Sequence, residues 1–464
     1  MAWKVSGGSR NRRVITARQR PQLRGRWRRK LLALLAILLM GVALMQANGG
    51  GGAAVADFLR ATIGPRATAQ VEATYLNLAD AVQRVRYRIV GQQVAAPWVV
   101  PPPVASAVPT RRGCVAATGC AAATTRSSPM PPAPCLASSG CVAAQADSST
   151  RAPVSPVAAC AASASCRAAS PVLSTTPTSV PMGQFSIAPR VVPALADEGV
   201  WTASGLPAPG SGAKPPMVKT FLRPDPNRPW AIVTLLQVDL RQATLHVVAG
   251  IQEPGGPVNM VGSGLIPAVD YHGNRLLAVL NGGFKYADGA YGLMSSGTVY
   301  VSPVWGAATV AALRNGKVIM GRWGLDRRLT GANRNLVAWR QNGSLLIDHG
   351  RIAALTQDGA SWGLSIMNST YTWRSGIGLT ARGTLLYAAG NSLSAATLAQ
   401  ALRDAGAMSA MQLDINPFWV RAFTYTRDPL GQLTATALNP AMQGTGTEYL
   451  YGHVRDFFYL TRRP

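Results

Sequence analysis

Asp414 ends the apolar run Met411-Gln412-Leu413-Asp414 and delivers a carboxylate where a strand passes into a loop. Rigid sheets often hold reactive side chains at such exits. The same position also suits an Asp that caps a turn. A carboxylate of the first kind serves as a base or a nucleophile, and a nearby arginine would hold an anion beside it. Arg374 stands in the Gly-rich stretch Arg374-Ser375-Gly376-Ile377-Gly378. A second strand at 383–389, a helix and the Asp414 strand follow it. Ser394 caps the helix, Leu398, Ala401 and Leu402 give it one apolar face, and Gly406 stops it.

The elements around this stretch are mostly short strands. Apolar runs predict strands at 231–238, 243–249, 276–280, 298–301, 310–313, 318–320, 336–340 and 344–347. Asn315-Gly316 and Asn342-Gly343 supply hairpin turns. The pattern predicts an α+β domain over 218–464, mostly β-sheet with a few helices.

The N-terminal half reads differently. Residues 1–30 carry eleven Lys and Arg and no acid, so this basic tail supplies much of the net charge of +26. From Lys219 onward there are 22 basic and 13 acidic residues, and no nucleic-acid motif is present. No charge occurs from Leu31 to Ala56, which is long enough to cross a bilayer. The basic flank sets the N-terminus inside and the rest of the chain outside. The expectation is a signal-anchor at 31–53. A signal peptide cut after Ala54-Val55-Ala56 is the rival, and both export the chain. Residues 54–96 carry a helical stripe, Val71, Tyr75, Leu78, Val82, Val85 and Ile89. Residues 97–217 are rich in Pro, Ala, Ser and Thr and read as a stalk. All six cysteines lie there as three C-x5-C pairs: Cys114 with Cys120, Cys135 with Cys141, and Cys160 with Cys166. In an exported segment they read as local disulfides, with metal binding as the alternative. No metal or cofactor is expected in the domain.

Two segments together resemble the phosphodiester glycosidase family. One is Ala-Val-Leu-Asn-Gly-Gly-Phe at Ala278–Phe284. The other runs from Arg374 to Asp414, with an Arg-x-x-Ile-Gly strand, a helix and a Leu-Asp strand end. The segments Phe221–Leu240, Val337–Gly350 and Arg455–Leu460 are similar to an exported bacterial branch of that family. The resemblance spans roughly 218–464. One departure stands out. The family follows its strand-end Asp with a Gly-rich loop, whereas Asp414 is followed by Ile415-Asn416-Pro417-Phe418-Trp419. Pro417 has no N–H, so this loop cannot present the same amides to an anion.

The resemblance implies cleavage of a sugar from phosphate through its anomeric carbon. Phosphate leaves well, so the needs are a carboxylate near that carbon and cations around the phosphate. Asp414 is the first carboxylate and Asp348 the second, with Arg374 beside them. Lys285 and Arg340 are candidate phosphate contacts. Asn281 with the amides of Gly282 and Gly283, and Asn416, would meet substrate oxygens. Each has a plainer reading. Asn281-Gly282-Gly283 is a tight turn, Arg374 a structural ion-pair partner, Arg340 and Lys285 solvated cations, and Asp348-His349-Gly350 a hairpin tip. His349 could act as a base, and Trp305, Trp323, Trp339, Trp362, Trp373 and Trp419 offer faces to sugar rings or fill the core. The expected partner is a phosphorylated glycan or another anionic envelope polymer, outside a bacterial cell membrane. The contrasting expectation is a non-catalytic anchored module that binds such a polymer.

Overall fold

Strands apolar at successive positions, such as Leu276–Asn281, need cover on both faces, and this chain meets that need by packing three antiparallel sheets together. The computed structural model describes residues 185–463 except 211–213, 257–259, 358–361, 363–370 and 416, and also residues 62, 78, 80–89, 94–98, 182 and 183. The basic tail, the expected anchor at 31–53 and Asn416 lie outside the described residues. So do all six cysteines, and with them the three expected disulfides, Cys114 to Cys120, Cys135 to Cys141 and Cys160 to Cys166. Among the described residues no helix is long and apolar enough to cross a membrane.

The first sheet has seven strands in the order β1 (Met217–Leu222), β2 (Val233–Val238), β13 (Leu385–Leu393), β12 (Thr372–Thr380), β14 (Ala407–Ile415), β10 (Leu345–Asp348) and β11 (Arg351–Ile352). The second runs β16 (Leu433–Ala437), β15 (Ala422–Arg427), β4 (Leu276–Asn281), β17 (Phe457–Arg462) and β3 (Ala243–Val248). The third runs β6 (Thr298–Val301), β5 (Leu293–Ser295), β9 (Leu336–Gln341), β7 (Ala308–Leu313) and β8 (Val318–Arg322). The α+β, mostly β expectation for the domain holds.

The two-residue period explains the packing. In the first sheet Leu236, Val238, Leu385 and Tyr387 point into a core shared with Leu280 and Phe458 of the second sheet and Val310 of the third. Their neighbours Val233, Leu235, Leu386 and Ala388 point the other way, onto the helix Ala395–Asp404 through Leu398, Ala399 and Leu402. Ser394 caps that helix by accepting from the Thr397 amide. Gly376 is bare because a Cβ there would come within 3.1 Å of Leu402 and 3.0 Å of the Met411 carbonyl oxygen. The Gly-rich strand is thus the seat of the helix.

The folded part also takes in residues whose composition resembles the stalk. Thr202 bridges Lys219 of β1. Glu198 is buried and pairs with buried Arg223 at 2.7 Å. Its other oxygen accepts the Arg223 amide at 2.9 Å. A fragment starting at Val218 loses Glu198 and the Val191 and Pro193 carbonyls that hold Arg223. It should be less stable than one starting at Met182, read as a lower midpoint in urea unfolding.

Candidate functional site

The exits of β4 and β14, the start of β12 and the residues just before β17 converge at one place. Asn281 at the end of β4 is the knot. Its Oδ1 accepts the Tyr387 hydroxyl at 2.7 Å, and its Nδ2 donates to Ser375 Oγ and to the Gly282 carbonyl, both at 3.0 Å. Ser375 Oγ donates to the Asp414 carbonyl at 2.9 Å, and the Asp414 amide donates to the Gly282 carbonyl at 2.9 Å. Burial holds the Tyr387 phenol well above its ordinary pKa, so it stays a donor. The strand ends of the first and second sheets are joined side by side, and Asp414 comes to lie beside the Asn281-Gly282-Gly283 loop.

Asp414 is 6% exposed. Its Oδ2 accepts from Arg455 Nη2 at 2.6 Å, and its Oδ1 accepts its neighbour Ile415's amide at 2.8 Å. Burial pushes its pKa up to about 6, against the pull of Arg455 and the Ile415 amide, while Asp456 and Asp288 push it further up. Arg455 also donates to the Gly283 carbonyl at 3.0 Å. The Trp419 ring lies 4.7 Å from the Arg455 guanidinium carbon and 5.6 Å from Lys285 Nζ. One carboxylate, two cations and one indole face thus share the site.

The two glycines have a packing cause. Asp456 and Arg340 form a buried pair, with Nε to Oδ2 at 2.8 Å and Nη2 to Oδ1 at 3.1 Å. Asp456 Oδ2 also accepts the Gly283 amide at 3.1 Å, and the Asp456 carbonyl accepts the Gly282 amide at 3.2 Å. A Cβ on Gly282 would lie 2.0 Å from Asp456 Oδ2, and one on Gly283 would lie 2.8 Å from Arg340 Cζ. The amides expected to meet a substrate oxygen are therefore bonded to Asp456. Arg340, expected as a phosphate contact, is 0% exposed and also donates to the carbonyls of Phe284, Tyr291 and Gln341. It braces the loop from within.

Arg374 is buried too. It donates to the carbonyls of Leu393 and Trp362 at 3.0 and 2.7 Å and to Gln412 Oε1 at 2.6 Å, and burial lowers its pKa to about 10. It lies opposite Ile415, the residue after Asp414, on the neighbouring strand of the same sheet. Asp348 is not brought to the site. It closes β10, where Ile347 faces Ala410, so it lies about 15 Å along β14 from Asp414. Its carboxylate meets the exposed ring of His349 at 2.8 Å, at a hairpin tip. Of the tryptophans, Trp323, Trp339, Trp362 and Trp373 are buried, Trp305 is exposed, and Trp419 stands at the site. Among the described residues no three His, Cys, Asp or Glu side chains group to hold a metal ion.

Sequence reasoning did not single out Arg455, Asp456, Ser375 or Tyr387. Arg455-Asp456 carried a signal, opposite charges directly before the apolar strand Phe457-Phe458-Tyr459-Leu460. Ser375 and Tyr387 carried none, because only strand pairing brings them to Asn281.

Residues 274–414 match the family model described as phosphodiester glycosidase. Here the chain resembles the phosphodiester glycosidases. The matched stretch holds Asn281, Arg374 and Asp414, and stops before Trp419, Arg455 and Asp456. Among solved structures, the zebrafish N-acetylglucosamine-1-phosphodiester alpha-N-acetylglucosaminidase catalytic domain, auto-inhibited by its pro-peptide, is 16% identical, with a TM-score of 0.36, over 56% of this chain and 87% of that one. A hypothetical protein from Synechocystis is 14% identical, with a TM-score of 0.34, over 50% and 59%. A putative exported protein from Burkholderia pseudomallei is 12% identical, with a TM-score of 0.30, over 50% and 74%. No curated protein matches the chain.

The raised pKa of Asp414 has a sign. As a base or nucleophile it must be ionised, so kcat/KM for any reaction it serves should fall about tenfold per pH unit below about 6. A pH–rate profile checks this. A raised acid pKa also means that the ionised form costs folding stability above about pH 6. That cost is relieved as pH falls toward the ordinary carboxylate range.

Proposed function

We propose that this protein hydrolyses a sugar-1-phosphodiester, breaking the bond between the anomeric carbon and the phosphate oxygen. The observation that carries the reading is Asp414. It is a buried, Arg-held carboxylate at the end of the stretch that matches the family, with Lys285 and Trp419 beside it. Phosphate needs little help to leave, so one well-placed carboxylate suffices. In this mechanism a water attacks the anomeric carbon and gives its proton to Asp414. The carbon–oxygen bond breaks, and its electron pair leaves with the phosphomonoester. Lys285 and Arg455 balance the charge on the phosphate, and Trp419 stacks on the sugar ring. Asn281, Arg374 and the Arg340–Asp456 pair hold the strand ends in register and act by positioning.

The proposed setting is the outer side of a bacterial cell membrane, with 31–53 as the anchor and an envelope or exported glycan as substrate. A second reading, a binding module for anionic glycan, draws support from the loop after Asp414. Phe418 is 6% exposed, and the Trp419 ring lies 4.7 Å from the guanidinium carbon of Arg455, the cation that holds Asp414. The test is incubation of the whole chain with an N-acetylglucosamine-1-phosphodiester and assay of released sugar and phosphomonoester. Turnover supports the hydrolase. No turnover by a folded protein that still retains anionic glycan moves the reading to the binding module.

A further inference from the structure

The helix at residues 80–89 has two working faces. One is bonded to the domain. Asp80 is buried and pairs with Arg228, whose guanidinium lies 3.6 Å from the Tyr371 ring centre. Ser392 Oγ donates to Gln83 Oε1 at 2.9 Å, and Tyr87 packs on Trp230 with ring centres 5.4 Å apart. The opposite face carries the stripe seen in the sequence, and it faces solvent. Leu78, Val82, Val85 and Ile89 are 53%, 57%, 53% and 77% exposed. With 3.6 residues per turn, the stripe lies about 160° around the helix from Asp80, Gln83 and Tyr87. Arg86 and Arg88 flank it on its two sides, exposed, and among the described residues neither meets a carboxylate. The helix's one acid, Asp80, is engaged with Arg228 and with Arg84 at 2.7 Å.

We infer that this helix lies on an anionic lipid surface, its apolar stripe set into the headgroup layer and its other face clasping the domain. An apolar stripe bordered by arginines suits that boundary, where aliphatic side chains leave water and guanidinium groups meet lipid phosphates. A second copy of the same face is disfavoured, because it would bring arginines against arginines. Chain position agrees. Leu78 follows the uncharged stretch ending at Ala56 by 22 residues, a reach of at most about 75 Å. The inference rests on the proposed anchor, and it places the domain at the membrane surface.

The test uses the full chain in vesicles of phosphatidylcholine, with or without phosphatidylglycerol. Val85 is replaced by photoreactive benzoylphenylalanine, and the same residue at Leu430, which is 93% exposed, is the control. The expected result is a lipid adduct at 85 and none at 430, with a severalfold higher yield when phosphatidylglycerol is present. Arg86→Glu with Arg88→Glu should remove that gain. A chain that floats with the vesicles but forms adducts at 85 only with protein, or none, overturns the inference alone. A chain that does not float overturns the anchor as well.

Discussion

Asp414→Asn should lower kcat on a sugar-1-phosphodiester by about 10²- to 10⁴-fold, the range for loss of a positioned base, with a smaller change in KM. The argument rests on what the amide keeps. Its oxygen still accepts from the Ile415 amide or from Arg455, which now hold Asp414 at 2.8 and 2.6 Å. The Asp414 backbone, which ties β14 to the Gly282 carbonyl and to Ser375, is untouched. What is lost is the negative charge and the ability to take a proton. Unchanged near-ultraviolet circular dichroism alongside the lost rate would separate chemistry from folding. Asp348→Asn, at the hairpin tip, should leave the rate within about twofold, since exposed sites distant from the reacting groups change little.

The second large effect concerns stability. Arg340→Met should destabilise the fold by about 3–5 kcal/mol, because it leaves Asp456 buried with a charge and no cation. The loss would also free the carbonyls of Phe284, Tyr291 and Gln341 that Arg340 now satisfies. Urea unfolding reads it directly. Restoring neutrality with Arg340→Met and Asp456→Leu together should recover part of the loss. If the pair were instead a solvated surface contact, Arg340→Met would cost less than about 1 kcal/mol.

These two residues show what the sequence could carry. Asp414 was legible because a strand's apolar run, the helix before it and the capping Ser394 all fix where the strand ends. The helix Ala395–Asp404 was legible for the same local reasons. Arg340 was legible as a charge within an apolar strand but not as a buried one. Its partner Asp456 lies 116 residues away, and only the meeting of the second and third sheets brings them together. Asn281-Gly282-Gly283 resembled a ligand loop because glycines admit close approach. The approaching groups are Asp456 and Arg340 of the same chain. Asp348 stood in a motif as apolar and as strand-like as Asp414's. The antiparallel pairing of β10 with β14 points their ends in opposite directions, and that separates them. The apolar stripe at 78–89 was legible as a helix face, while its exposure was not, because Asp80 and Tyr87 turn the other face to the domain.

The most direct test of the central claim is the fate of oxygen from ¹⁸O-labelled water during hydrolysis of an N-acetylglucosamine-1-phosphodiester, followed by mass spectrometry of the phosphomonoester. Attack at the anomeric carbon beside Asp414 predicts a phosphomonoester without label, formed about 10²- to 10⁴-fold faster by the native chain than by Asp414→Asn. Label in the phosphomonoester would mean that phosphorus is attacked, and would contradict the glycosidic account.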